Sequence, residues 1–216
     1  MNGKSVLTIS LEDISVLLDA FLPDYDFYAR NPCKVAIDLI GSYLVSTDHE
    51  GVTAIRIVEV EAYGGEDDPA SHAFRGLTKR NAPMWDSPGR SYVYFTYGMH
   101  YCFNVVTSPK GVAGAVLVRA GQPIQGVDIM MRRRGRSFLG DLCSGPAKLC
   151  QAMGIDSTLN NVILDTPRLC ILIPRNRKQI EIERSARIGI RNGLNLPWRF
   201  YEKDSVWISA KTLNPA

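Results

Sequence analysis

A chain of 216 residues, 45% hydrophobic and 22% charged, has the balance of an ordinary globular domain with a core of its own. Its net charge of +3 gives only a weak overall field, so any polyanionic partner has to be met by a local patch. No apolar run reaches membrane-spanning length, and neither a signal-peptide pattern nor a Cys-x-x-Cys pair accompanies Cys33, Cys102, Cys143, Cys150 and Cys170. A cytoplasmic protein with buried thiols and no membrane partner is the expectation, or a nuclear one if the source is a eukaryote.

In chain order, Leu11, Ile14, Leu17, Leu18 and Phe21 have helical spacing and predict a helix over 11–21, ended by Pro23. Asn31-Pro32 reads as an N-cap with proline at the first helical position, opening a helix that turns Cys33, Ala36, Leu39 and Ile40 inward and stops at Gly41. Residues 43–46 and 53–63 predict a hairpin around Asp48-His49-Glu50-Gly51. In 54–62 strict alternation puts Val58, Val60 and Ala62 on one face, with Ile57, Glu59, Glu61 and Tyr63 on the other. On pattern alone this is simply a strand with a wet face. It runs, however, into a polar stretch rich in Gly and Pro over 64–90, and a loop of that size is either functional or disordered.

Ser91–Thr107 reads as two strands joined near Tyr97-Gly98, since glycine supplies the positive φ of a tight turn; Tyr97 is then at an exposed tip. A short apolar strand over 113–118 should end at Arg119. A helix over 123–134 should follow, its last turn carrying Arg132, Arg133 and Arg134, the sign the helix dipole favours. Ser144-Gly145-Pro146 opens another helix that stops at Gly154. Short strands over 169–173, 179–183, 199–201 and 206–209 close the chain. The architecture expected is α+β: one compact domain, a curved, mostly antiparallel sheet with peripheral helices and a protruding β-hairpin.

The three histidines (His49, His72, His100) have no zinc-site spacing, and no P-loop, Gly-x-Ser-x-Gly or dinucleotide fingerprint occurs, so neither a metal nor another cofactor is expected. Glu59 and Glu61 do not form a glycosidase pair, because side chains two apart on one strand point the same way instead of flanking a sugar. What remains is one carboxylate as a general base, among aromatics and basic loops of the kind that hold unpaired nucleobases. The residues themselves leave Glu59 and Glu61 tied for that role.

Glu59-Val-Glu61-Ala-Tyr63, Ala70-Ser-His72, Tyr92-Val-Tyr94-Phe-Thr-Tyr97-Gly98-Met99, Cys102-Phe-Asn104 and Val116-Leu-Val-Arg119-Ala120 together resemble the alkyladenine (3-methyladenine) DNA glycosylase family. Leu142-Cys-Ser-Gly-Pro-Ala-Lys148-Leu, Ala186-Arg-Ile-Gly189 and Arg199-Phe-Tyr201 add to the likeness, which runs in order from about Ala29 to Lys211. It leaves 1–28 as an N-terminal extension packed on a single glycosylase domain over 29–216. His100, Trp85 and Trp198 depart from the family's pattern.

The resemblance implies a monofunctional glycosylase. It hydrolyses the N-glycosidic bond of alkylated or deaminated purines flipped out of double-stranded DNA, acts as a monomer and needs no cofactor. It implies Glu61 as the general base, with Arg119 beside the catalytic water, and Tyr63, His72 and Tyr94 around the flipped base. It likewise implies Asn104 as the residue that bars guanine, Tyr97 as the wedge beside Met99, and Arg80 and Asn81 as a grip on the backbone. Arg132–Arg136 is open between a DNA contact and a solvated helix end. Two other classes stay open: a lesion-binding module without catalysis, and a hydrolase of free nucleosides.

Overall fold

The structure, a computed structural model, describes residues 10–209; residues 1–9 of the expected extension and 210–216 of the expected domain lie outside the described residues. Helix α1 (Leu11–Leu17) starts at a capping box in which Ser10 and Asp13 bond each other's backbone N–H. It is shorter than the periodicity predicts, because Asp19 takes a left-handed φ of 44° and the chain turns. Strand β1 (Ala20–Phe21) then pairs with Ile173 and Pro174. After a single helical turn, α2 (Tyr25–Tyr28), comes α3 (Pro32–Leu39), capped by the Asn31 side chain as expected. Strands β2 (Tyr43–Asp48) and β3 (Gly51–Tyr63) form the first hairpin, β4 (Ser91–Thr96) and β5 (His100–Val106) the second.

Strand β6 (Ala115–Gln125) runs well beyond Arg119, where the sequence reading ended it. The charge of Arg119 does not break the strand because two buried carboxylates receive it. Pro123, which has no N–H to give, sits opposite Ile55 at an irregularity of the ladder. Helix α4 (Val127–Arg134) therefore starts later than expected, after Gly126 at φ 67°; a Cβ there would lie 2.2 Å from the Val52 carbonyl. Helix α5 (Pro146–Met153) ends at Gly154 as predicted. Strands β7 (Asp165–Thr166), β8 (Leu169–Pro174), β9 (Ile182–Ser185) and β10 (Arg199–Glu202) complete the sheet. Residues 206–209, expected as a strand, form turns, and the Ser209 N–H goes to a carboxylate instead of a ladder partner.

Among the described residues ten strands make one sheet: seven run in the order β1-β8-β2-β3-β6-β5-β4, β10 pairs with the C-terminal half of β3, β9 with β10 and β7 with β8, every pairing antiparallel. The fold is the α+β class read from the sequence. One face carries the main core: Val35, Ala36 and Leu39 of α3 and Leu149, Cys150 and Met153 of α5 pack on Ile55, Val60, Val93, Phe103, Val116 and Val118. On the other face α1 sets Ile14 against Val45, Ala54, Cys170 and Leu172. All five cysteines are free thiols, four of them buried.

Two expectations for β3 fail together. Val58 is the extra residue of a bulge between Ile57 and Glu59, so alternation slips and Ile57 joins Ile55, Val60 and Ala62 in the core. Nor is the opposite face wet, for Glu59 and Glu61 are both fully buried between β6 and β10.

Candidate active site

Alternation across the β4–β5–β6 end of the sheet divides each strand between core and cavity. Val93, Phe103, Val105, Val116 and Val118 point to the core. Tyr92, Tyr94, Cys102, Asn104, Ala115, Leu117 and Arg119 point the other way and floor a cavity of about 530 Å³. That is room for a purine and more. Cross-strand pairing sets Tyr92 beside Asn104, Tyr94 beside Cys102 and Asn104 beside Leu117. The walls are two loops remote in sequence: Pro69, Ala70, His72, Arg80 and Met84 on one side, residues 188–192 on the other.

Arg119 is placed by a second irregularity. Glu59 pairs with Ala120 and Val60 with Val118, so Arg119 is the unpaired residue of a β6 bulge and its side chain falls against both carboxylates. Its Nη1 donates to Glu61 Oε2 (3.1 Å) and its Nε to Glu59 Oε1 (3.1 Å). Burial opposes the charge, but Glu61 and Glu59 outweigh it and hold the guanidinium charged.

The two glutamates then part company. Glu59 also accepts from Arg199 Nε (2.7 Å), from the Ser209 hydroxyl (2.8 Å) and from the Ser209 N–H, a set closed off from the cavity. Glu61 instead accepts from Tyr63 O–H (2.9 Å), Arg119 and the Ile188 N–H (2.6 Å), and all three donor residues line the cavity. Glu61 itself lies just beneath the floor, fully buried. Geometry thus distinguishes two glutamates that spacing left equivalent.

Among the aromatics, the His72 and Tyr94 rings meet edge to face at 4.7 Å, and His72 Nδ1 is bonded to the Tyr92 hydroxyl at 2.9 Å. Burial first and Arg80 second depress the His72 pKa, which keeps the ring neutral at neutral pH. Burial raises the Tyr92 phenol to about 12 and pushes Tyr63 and Tyr94 further up, so all three tyrosines are protonated donors. Asn104 is buried, its Nδ2 fixed on the Tyr92 carbonyl at 2.9 Å.

At the rim, Tyr97 is 87% exposed and Met99 69%. Positive φ at Tyr97 (51°) and Gly98 (69°) makes the tight turn that the glycine announced. Arg80 is exposed, bonded to the Phe95 carbonyl and lying over the Tyr94 ring. Asn81 is different from the expectation of a backbone grip. It is buried: its Nδ2 donates to the His72 and Gly76 carbonyls (2.7 and 3.0 Å), and its Oδ1 accepts from the Thr78 N–H (2.6 Å). No side-chain donor is left for a phosphate; Asn81 staples the loop that carries His72. Arg132 and Arg133 bond Asp128, Asp48 and Glu50, and Arg134 bonds Gln151, so these three read as structural. Arg136 is exposed.

Several site residues escaped the sequence reading. Tyr92 was legible, being two before Tyr94 on the same strand and hence on the same face. Arg187, Ile188 and Arg199 stand in motifs of the resemblance but have no role assigned there; with Ser209 they approach from the far end of the chain, where no local spacing points to them. Among the described residues no cluster of three or more His, Cys, Asp or Glu is placed to hold a metal, and no helix is long and apolar enough to cross a membrane.

The family profile described as methylpurine-DNA glycosylase (MPG) matches residues 26–206. A protein of Carboxydothermus hydrogenoformans, provisionally named a 3-methyladenine DNA glycosylase, is 48% identical over 188 residues, 86% of this chain and 97% of its own. Proteins given the same provisional name in Francisella tularensis subsp. tularensis and Methanoculleus marisnigri are each 46% identical. The first spans 80% of this chain and 91% of its own, the second 86% and 97%.

Proposed function

As the chain belongs to the methylpurine-DNA glycosylase family, and is on that ground a DNA-repair hydrolase of N-glycosyl bonds, we propose that it removes alkylated or deaminated purines flipped from duplex DNA into this cavity, using water as nucleophile and Glu61 as general base. The observation that carries the proposal is the place of Glu61: a buried carboxylate whose three donors all belong to the lining of an aromatic cavity.

A stacked base is out of reach, and taking it out costs a few kcal/mol, roughly. Tyr97, exposed at the hairpin tip with Met99 beside it, fills the gap left in the duplex. The base slots between Tyr63 and the His72–Tyr94 pair, where stacking contributes about 1–3 kcal/mol. A purine alkylated on the ring is cationic and gains further from the aromatic faces, and a neutral His72 adds no repulsion. Asn104, held on Tyr92, crowds the exocyclic amino group of guanine.

In the chemical step a water oxygen bonds to C1′ as the C1′–N bond breaks, its electron pair leaving with the purine. Glu61 takes the water's proton; Oε1 accepts one bond against two on Oε2 and is the oxygen with capacity left. Its negative charge also stabilises the cationic sugar, and Arg119 fixes its orientation. The lining holds no lysine among the described residues, which supports direct hydrolysis without strand nicking. One chain supplies every group named, consistent with action as a monomer.

The test is a set of duplexes, each with one 3-methyladenine, 7-methylguanine, hypoxanthine or ethenoadenine, scored for released base beside the free nucleosides. Release from duplex and not from nucleoside is expected. Binding to every lesion duplex without release would make the protein a lesion-binding module. Release from nucleosides at equal rate would make it a nucleoside hydrolase.

A further inference from the structure

The two loops that wall the cavity are joined by one buried ion pair. Arg187 Nη1 and Nη2 meet Asp68 Oδ2 and Oδ1 at 2.6 and 2.7 Å, and neither side chain is accessible to solvent. Asp68 fills its remaining capacity with the Gly64 and Ala70 N–H groups, while Arg187 Nη1 also reaches the Ala62 carbonyl (3.0 Å). The guanidinium carbon lies over two aromatic rings, 4.7 Å from the centre of Tyr63 and 5.2 Å from that of Trp198.

This is a costly way to hold two loops. Desolvating both charges takes back most of their attraction, and apolar side chains of the same volume usually serve stability as well or better. Here the Arg187 Nε is in addition buried without a partner. What such a pair supplies, and apolar packing does not, is fixed direction: a planar fork locked to one carboxylate admits one geometry. That direction bears on Glu61. Arg187 packs on Tyr63, whose hydroxyl is one donor to Glu61, and the residue after Arg187 gives the Ile188 N–H, which is another. On the far side, Asp68 is followed directly by Pro69 and Ala70 of the opposite wall.

We propose that Asp68 and Arg187 are a positioning pair for base release: they act through Tyr63 and the Ile188 N–H to hold Glu61 in its productive orientation and keep the two walls in register. The inference rests on Glu61 being the general base. Neither residue of the pair touches the reacting atoms. Small displacements of a reacting group are expensive, up to about 100-fold for about 1 Å.

The experiment compares wild type, Arg187→Lys and Asp68→Asn as full-length protein. It measures thermal melting, affinity for a lesion duplex, and the single-turnover rate of base release at saturating enzyme, with Glu61→Gln run in parallel. Arg187→Lys keeps the charge but loses the fork, so lesion affinity should hold while single-turnover release falls about 10- to 100-fold. Asp68→Asn provides the same reading should Arg187→Lys not fold. If Glu61→Gln is inactive yet both variants release base at the wild-type rate, the positioning role is wrong and the base assignment stands. If Glu61→Gln keeps wild-type activity, the base assignment fails and takes this inference with it. Equal losses of affinity and rate, or failure of both variants to fold, would make the pair structural and overturn the proposal.

Discussion

Two regions of this protein are built from the same materials, arginines facing carboxylates, and differ in the medium around them. At the end of α4, Arg132 and Arg133 bond Asp48 and Glu50 of the β2–β3 turn, Arg132 also bonds Asp128 one turn back on α4, and these side chains are at least partly wet. Beneath the cavity, Arg119 and Arg199 bond Glu59 and Glu61, with every one of those side chains less than a tenth exposed. In water such pairs are worth little and tolerate loss; in a dry interior each charge depends on its partner. The first network therefore fastens a helix end to a turn. The second holds its charges in fixed places, which the proposed function uses for Glu61.

The sharpest break in the comparison is Glu61→Gln. The amide has nearly the same shape, and its one oxygen can still take the Tyr63 and Arg119 donors, but it cannot take a proton from water. Lesion binding should survive, while single-turnover base release falls by about 10²–10⁴. An active Glu61→Gln would mean that the buried network is architecture like the other.

Glu59→Gln tests the other half of the same cluster. Glu59 serves Arg199, Ser209 and Arg119, and of these three Arg119 alone lines the cavity, whereas all three donors to Glu61 do. Its loss takes one buried carboxylate from a cluster whose side chains are all less than a tenth exposed, so stability should fall by roughly 3–5 kcal/mol, read by denaturant or thermal unfolding. Activity of the folded fraction should fall less than for Glu61→Gln, because Arg119 still has Glu61. A stable but inactive Glu59→Gln would reverse the two roles.

How far the sequence announced this difference depends on the range of the contact. Caps, turns and alternation are local, and Asn31-Pro32, Tyr97-Gly98 and the helix from Pro146 to Gly154 stand where they were expected. The bulges at Val58 and Arg119 are set by partner strands, so Ile57 was assigned to the wrong face and β6 was ended too soon. Burial of Glu59 and Glu61 depends on β10, about 140 residues further along, and no window on β3 reveals it. The resemblance, not spacing, singled out Glu61; the physical reason for its difference from Glu59 needed Ser209 and Ile188 in place. Asn81 shows the opposite error, a polar residue in a basic loop whose side chain turns inward to staple it.

Exposed groups without a carboxylate partner sharpen the contrast further. Tyr97 has 87% of its surface exposed on its turn. Tyr97→Ala should leave melting unchanged and weaken binding to lesion duplexes about tenfold, a fraction of the few kcal/mol of unstacking. An equal loss on single-stranded substrate would count against the wedge. Arg80, with no carboxylate partner among the described residues, is a rim cation placed to meet a phosphate. Arg80→Gln should make the slope of log K against log salt shallower by about 0.9. An unchanged slope would make it a bystander.

The smallest effect is expected where the charges are most numerous. Arg132 is 57% exposed, bonds Asp128 one turn away at 3.1 Å and reaches Glu50 at 3.7 Å. An exposed pair of this spacing contributes about 0.3–0.5 kcal/mol, and salt screens it. Arg132→Gln should thus lower stability by about that amount at low salt, and the difference from wild type should close as salt is raised. Affinity for lesion duplexes and its salt slope should not move, because the side chain's charge is already answered by two carboxylates. A drop in affinity with a shallower slope would mean that DNA displaces those carboxylates on binding. The wet network would then share the work of the dry one, and the division between fastening and chemistry would have to be redrawn along the α4 end.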